Sequence, residues 1–307
     1  MAQELELQND VWQIGINPSV GGAVTHGRVM SVAGPLDLLR PAAFMGRVTA
    51  CFPLIPWSNR IGGGSIEWGG RHYQLRLDDE PGSSAIHGVV RDFPWSVTQA
   101  DTLTIGLGFV SRDHVGINWP WAFAAQMTYH LDGPSWTVTT ELTNLDSEPF
   151  PAGLGHHPYF SRKLGGLRDE VLLEVPCSQA FDLVDYLAIG PARPVEPRQN
   201  FQRARGFGPT VTLDDCLTGR DLSKPVRLIY PNSGVVIKLE ADPLFECFVV
   251  YVPQGGKDFF ALEPVTHANN GLSLFASGIN GTGAFVIEPG QTIHAEWSLH
   301  ASYPTAF

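Results

Sequence analysis

The sequence predicts an all-β protein, a large antiparallel β-supersandwich, and three observations carry that expectation. Apolar residues alternate with period two in many short runs. Candidate runs with helical spacing are broken by Gly or Pro within about ten residues. The 33 glycines and 24 prolines are scattered between runs, as punctuation, and form no repeat.

The runs, taken in order, are Leu5 and Leu7; Trp12, Ile14 and Ile16; Tyr73, Leu75 and Leu77; Trp136, Val138 and Leu142; Val171, Leu173 and Val175; and Cys247, Val249 and Tyr251. Successive strand side chains point to opposite faces, so each run offers one apolar face for burial. A propeller would show a blade repeat of about 40 residues, and none is present. Stacked sheets that each bury a face are therefore expected. The least strand-like stretch, 188–209, reads as a surface excursion, because β patterns resume directly after it. Residues 1–307 are accordingly expected to form a single domain.

The 307 residues are 43% hydrophobic and 17% charged, enough apolar content to fold. Lys+Arg 20 against Asp+Glu 31 gives a net charge of -11, with no basic run to grip phosphates or an anionic bilayer. Neither nucleic acid nor a membrane is expected as a partner. The opening MAQELELQND has acids where a secretion signal carries positive charge, so a cytoplasmic location is expected. Cys51, Cys177, Cys216 and Cys247 are far apart and form no CxxC pair, which suits small buried hydrophobes better than a metal site or disulfides.

Four polar islands stand in apolar or Gly-rich surroundings. In Phe52–Gly64, Asn59 and Arg60 precede three glycines, so the guanidinium sits on a loop a ligand can approach; a turn-capping arginine is the alternative. His87 lies between Ile86 and Gly88, where a lone histidine is more often a satisfied core or turn residue than a catalyst. In Gly153–Phe160, strand alternation separates His156 from His157 but lets His157 share a face with Tyr159. That makes a poor metal clamp and a fair proton-transfer histidine beside a ligand-contacting tyrosine, with a structural histidine bonded to the backbone an equal alternative. Glu263 follows Phe259, Phe260, Ala261 and Leu262, surroundings that would raise its pKa toward a base's working range, whereas Glu288 before Pro-Gly reads as an exposed strand end. The two acids of Leu213–Leu217 read on their own as a solvated hairpin turn. Dinucleotide, Walker A, HExxH and GxSxG motifs are absent.

Taken in order, Asn59-Arg60-Ile61, His87-Gly88, His157-Pro158-Tyr159-Phe160, Asp214-Asp215-Cys216-Leu217 and Leu262-Glu263-Pro264 resemble the signature of the aldose 1-epimerase (galactose mutarotase) family. The resemblance spans nearly the whole chain. It implies a supersandwich with an open sugar-binding cleft that interconverts the anomers of a free aldose without metal or cofactor, acting as a monomer or homodimer on a monosaccharide. By motif position His157 would be the general acid, Glu263 the general base, and Arg60, His87 and Asp214, with Asn59 and Tyr159 beside them, the substrate-binding set. Ser161, Pro264 and Thr266 depart from the common pattern and leave the identity of the sugar open. An acid–base pair run near neutrality calls for a histidine pKa raised above about 6.5, for which Asp214 is the expected cause. Two other readings keep the fold: an epimerase for a phosphorylated or sulfonated hexose gripped by Arg91, Arg162 or Lys163, and a non-catalytic carbohydrate-binding protein.

Overall fold

Where period-two alternation is longest, the strand follows it without a break: in Ser135–Asn144 the residues Trp136, Val138, Thr140, Leu142 and Asn144 are buried and their neighbours are not. The computed structural model describes residues 4–31, 34–42, 49–79, 82–166, 169–208 and 211–303. Its regular secondary structure is almost all strand, in antiparallel pairs. Among the described residues the α-helix is one short piece, Gly271–Ala276.

Eight strands form one sheet in the order Ser96–Ala100, Thr104–Val110, Phe123–Asp132, Ser135–Asn144, Thr292–Ser302, Val235–Ala241, Val226–Tyr230 and Leu172–Glu174. A 12-stranded sheet runs Leu5–Gln8, Trp12–Asn17, Ala23–Ser31, Gly34–Leu39, Tyr159–Ser161, Phe259–Val265, Cys247–Val252, Leu213–Arg220, Cys177–Ala180 and Arg193–Pro194, with Pro53–Leu54 and Gly155–His156 paired off this path. The two sheets pack face to face on a core in which Trp136 lies 6.1 Å from Trp12 and 5.6 Å from Trp297, ring centre to ring centre. The larger sheet also buries part of its other face. Val250 and Leu262 join the main core, while their alternates Val249 and Val265 join a second apolar cluster with Phe52, Leu54, Phe181, Cys216 and Cys247.

Three local expectations need correction. Leu213–Arg220 is an interior strand and no hairpin turn, because Leu213 and Leu217 serve one face and Cys216 the other, and both faces are covered. The Tyr73 run ends as strand at Gln74; it pairs only with Ser65–Trp68 in a two-stranded hairpin, and Leu77 is left 45% exposed. The Val171 run is strand only over Leu172–Glu174, at the sheet edge. The four cysteines are buried and free. The 188–209 stretch contributes Arg193–Pro194, paired with Gln179 and Ala180, before the chain enters Leu213–Arg220.

One glycine fixes how His87 is delivered. Gly88 has φ +68, and a Cβ there would lie 2.1 Å from the Ile55 carbonyl oxygen. Neither backbone can yield, since Val89 N–H donates to that same oxygen. Gly88→Ala is expected to lower the unfolding free energy by about 2 kcal/mol or more. Urea unfolding checks this, and an unshifted midpoint would contradict it.

Candidate functional site

Strand register brings the polar islands together on the second face of the larger sheet. Tyr159 lies opposite Ala261, Ala261 opposite Tyr251, and Tyr251 opposite Asp214. Glu263 stands two residues beyond Ala261, opposite Val249. Even spacing keeps all of these side chains on one face. The seven residues singled out in the sequence, Asn59, Arg60, His87, His157, Tyr159, Asp214 and Glu263, line a single cavity of about 200 Å³, and Tyr251 completes it.

At the bottom of the cavity His157 Nε2 lies 3.1 Å from Glu263 Oε1, with the two side chains 7% and 2% exposed. Phe52 stacks on the imidazole at 4.9 Å, His87 meets it edge-on at 5.1 Å, and Tyr159 lies 4.3 Å away. These rings shield it from water. The second carboxyl oxygen of Glu263 is buried without a hydrogen-bond partner among the described residues, an arrangement that calls for a donor from a ligand. His156 turns to the opposite side, where its Nε2 lies 2.8 Å from Thr140 Oγ1 under Trp297. The two adjacent histidines thus part as anticipated, although the strand itself ends at His156.

Burial governs the electrostatics. It lowers the His157 pKa to about 3, with Arg91 and Arg40 acting the same way, and it raises Glu263 well above the usual carboxylate range, helped by Asp214 and opposed by Arg60. The expected upward shift of His157 is therefore corrected: desolvation outweighs any anionic neighbour. Asp214 is itself pushed up to about 6, chiefly by burial. Burial thus pushes each member of the pair toward its neutral form.

The loops that carry Asn59, Arg60 and His87 are tied down by groups that local sequence signals did not reveal. Asn59 and His87 both adopt positive φ, 49° and 66°, and the Asn59 carbonyl accepts from His87 N–H at 2.8 Å. The Asp79 carboxylate accepts from the Ser83 and Ser84 N–H groups and from Arg60 Nε at 3.4 Å. Burial acts to raise the Asp79 pKa, but those hydrogen bonds and Arg60 outweigh it and the net direction is down. His267 pins the loop to the end of the Glu263 strand. Ser58 N–H donates to its Nε2 at 3.1 Å, so Nδ1 carries the hydrogen given to the Ala268 carbonyl at 2.7 Å. A Cβ on Gly153 would fall 1.9 Å from that ring.

Asp79 sits in a stretch with no distinctive pattern, and Phe52, though it opens the Phe52–Gly64 island, carries no local sign that it stacks on His157; only the returning chain gives them meaning. Tyr251 did carry a signal, since its run alternates in phase with the strand that holds Glu263. The cations proposed for a charged sugar do not line the cavity. Arg162 pairs with Glu170 and the Gly208 carbonyl, Lys163 lies 3.1 Å from Asp258, and Arg91 stands 5.8 Å from the Phe52 ring. Among the described residues no group of three or more His, Cys, Asp or Glu side chains could hold a metal ion, and no helix is long and apolar enough to cross a membrane.

His156, away from the cavity, isolates the effect of burial on a histidine. Its pKa is lowered to about 3 by desolvation. A base depressed in the folded state stays unprotonated there while the unfolded chain takes up the proton below about 6.5, so stability is lost as pH falls through that window. His156→Gln keeps a hydrogen-bonding group for Thr140 and removes this linkage. Between pH 7 and pH 5 the variant is expected to lose about 2 kcal/mol less unfolding free energy than the parent. Parallel urea titrations check it, and identical losses would show that His156 is not held neutral.

Comparison with known proteins agrees with the fold and with the family resemblance. The chain is 27% identical over 285 residues to the uncharacterised protein YphB of Escherichia coli K12, covering 87% of this chain and 89% of that one. It is 27% identical over 245 residues to YihR of the same organism, also uncharacterised, covering 78% and 74%. It superposes on a galactose mutarotase-like protein of Clostridium acetobutylicum with a TM-score of 0.85 at 16% identity, over 97% of this chain and 94% of that one. The family description of aldose 1-epimerases matches residues 5–300, and the chain belongs to the aldose 1-epimerase family.

Proposed function

We propose that this protein interconverts the α and β anomers of a free, uncharged aldose, with Glu263 and His157 as the proton-transfer pair. The observation that carries the reading is the 3.1 Å contact between two buried groups, one of whose carboxyl oxygens has no hydrogen-bond partner among the described residues; in the proposed resting state one proton lies between them. Ring opening needs one group to take a proton and another to give one in the same step. A lining of Arg60, Asp214 and uncharged donors and acceptors suits the hydroxyls of a neutral polyol.

In the proposed cycle the sugar C1 hydroxyl donates to Glu263 and the ring oxygen O5 faces His157. That hydroxyl and Arg60 favour the carboxylate, and the shared proton passes to His157. Glu263 then removes the O1 proton, the O1 electron pair forms the carbonyl, the C1–O5 bond breaks, and O5 takes the proton from His157. Rotation about C1–C2 presents the other carbonyl face. Reclosure runs the transfers backward: O5 returns its proton to His157 as it attacks C1, and Glu263 gives one to O1. No net proton is consumed. His87 and Asn59 supply further polar contacts from their fixed loops, and Tyr159 and Tyr251 wall the ring.

Polarimetry on a panel of neutral aldoses tests the reading, with charged sugars as a control for the alternative substrate class. Glu263→Gln and His157→Asn are each expected to lower kcat by about 10²–10⁴-fold with sugar binding largely kept. Normal turnover in either variant would remove that residue from the mechanism. Sugar binding with no acceleration in the parent would leave a carbohydrate-binding protein.

Arg60 and Asp214 hold hydroxyls in ground state and transition state alike, so they act mainly on KM. Arg60→Ala is expected to raise KM at least tenfold. Ionised Asp214 is the stronger acceptor, so KM should fall as pH rises through about 6. Asp214→Asn should abolish that inflection, and its persistence would assign the titration elsewhere.

A further inference from the structure

Beside the catalytic cavity, and sharing Asp214 with it, lies a groove of about 590 Å³, nearly three times the 200 Å³ of the cavity. The cavity alone is smaller than most ligand sites, which run from about 300 to 1,000 Å³, whereas cavity and groove together fall within that range. The groove is bounded by the hairpin of Leu183–Val184 and Leu187–Ala188. Its two turn residues, Asp185 and Tyr186, both have positive φ, 48° and 66°. A tight hairpin turn of this kind is ordinarily given to Asn and Gly, and a tyrosine there is a strained choice. Strain of this sort is retained where the surrounding structure enforces it, at positions of use.

The enforcement is visible. Asn269 Nδ2 donates to the Tyr186 carbonyl at 2.9 Å, and Ala188 N–H donates to the Asn269 carbonyl. Leu187 packs so closely on Gly62 that a Cβ there would lie 2.7 Å from it. The Arg60 guanidinium sits 4.6 Å from the Tyr186 ring centre, yet Tyr186 remains 49% exposed. The result is a fixed aromatic ring at the mouth of the site, lining the groove, with much of its surface open. Such rings commonly receive the C–H face of a pyranose, since they offer apolar area at low entropy cost.

Position settles which end of a sugar meets this ring. Asp214 is two strands and two residues away from Glu263 in the register, roughly 12 Å between Cα atoms from the spacings of a sheet. With the anomeric carbon at Glu263, the Asp214 side faces the part of the ring remote from C1. We propose that the groove is a second sugar subsite with Tyr186 as its stacking platform, so that the protein takes the free reducing end of a disaccharide whose non-reducing unit lies along the groove. This rests on the anomer-exchange reading for the cavity.

The experiment compares catalysed mutarotation of maltose, cellobiose, lactose and melibiose with that of glucose, the reducing unit of each, in the intact protein and in Tyr186→Ala and Tyr186→Phe. The quantity read is the ratio of kcat/KM for disaccharide to that for glucose, which cancels general damage to the site. For at least one disaccharide the parent ratio is expected to be one or more, to drop at least fivefold in Tyr186→Ala, and to survive in Tyr186→Phe. Parent ratios below 0.1 throughout, or a ratio unmoved by Tyr186→Ala, would overturn the subsite. If glucose and a neutral monosaccharide panel are not accelerated at all, the anomer-exchange reading fails separately. Calorimetric titration with the same disaccharides then decides: binding weakened at least fivefold by Tyr186→Ala upholds the groove, and absent or unaltered binding rejects it.

Discussion

The contact between the buried His157 imidazole and the buried Glu263 carboxyl is the interaction on which the proposed chemistry depends. In water the two groups would ionise independently, near pH 4 and 6.5, leaving only a narrow interval with one proton on the pair. Burial pulls the histidine down and pushes the glutamate up, so adding a second proton or removing the first both become harder. The dryness responsible is built by rings and by the apolar cluster on the outer face of the larger sheet, which includes Phe52, Cys216 and Val249. Apolar packing therefore acts on the chemistry directly.

The rest of the architecture keeps that contact in register. His157 lies between the short strands Gly155–His156 and Tyr159–Ser161, and both pair with the strand that carries Glu263, Gly155 with Val265 and Tyr159 with Ala261. The loop from Phe52 to Arg60 is laid against them by His267, whose ring nitrogens have opposite hydrogen-bonding duties. Because Nε2 must accept and Nδ1 must donate, the ring has to stay neutral, and burial lowers its pKa to about 4 in agreement.

Much of this was legible in the chain because strands encode their faces locally. Period two alone separates His156 from His157 and pairs His157 with Tyr159, and the apolar run before Glu263 announces a buried carboxyl. The direction of the His157 shift was not legible. Its sequence neighbours His156 and Pro158 do not tell its depth, and the ring stacked on it is Phe52, about a hundred positions earlier. Asp79 escaped for the same reason, since its link to Arg60 depends on a return of the backbone rather than on spacing. Asp214 escaped as part of a strand because two adjacent acids mimic a turn when nothing local says that both faces of the strand are covered.

Those two acids carry a last consequence. Asp214 enters the cavity, and Asp215 takes the alternate direction, where Arg198 grips it with two bonds of 2.8 and 2.7 Å and Gln199 adds a third. Sliding this strand by one position would deliver the wrong carboxylate inward and carry every neighbouring side chain to the opposite surface. The Arg198 clasp on Asp215 opposes that slip, for it can close only in the correct frame. Asp215 thus serves as a phase marker for the strand, and conservation of an acid pair at this point among relatives would reflect alignment of the chain as much as contact with a substrate.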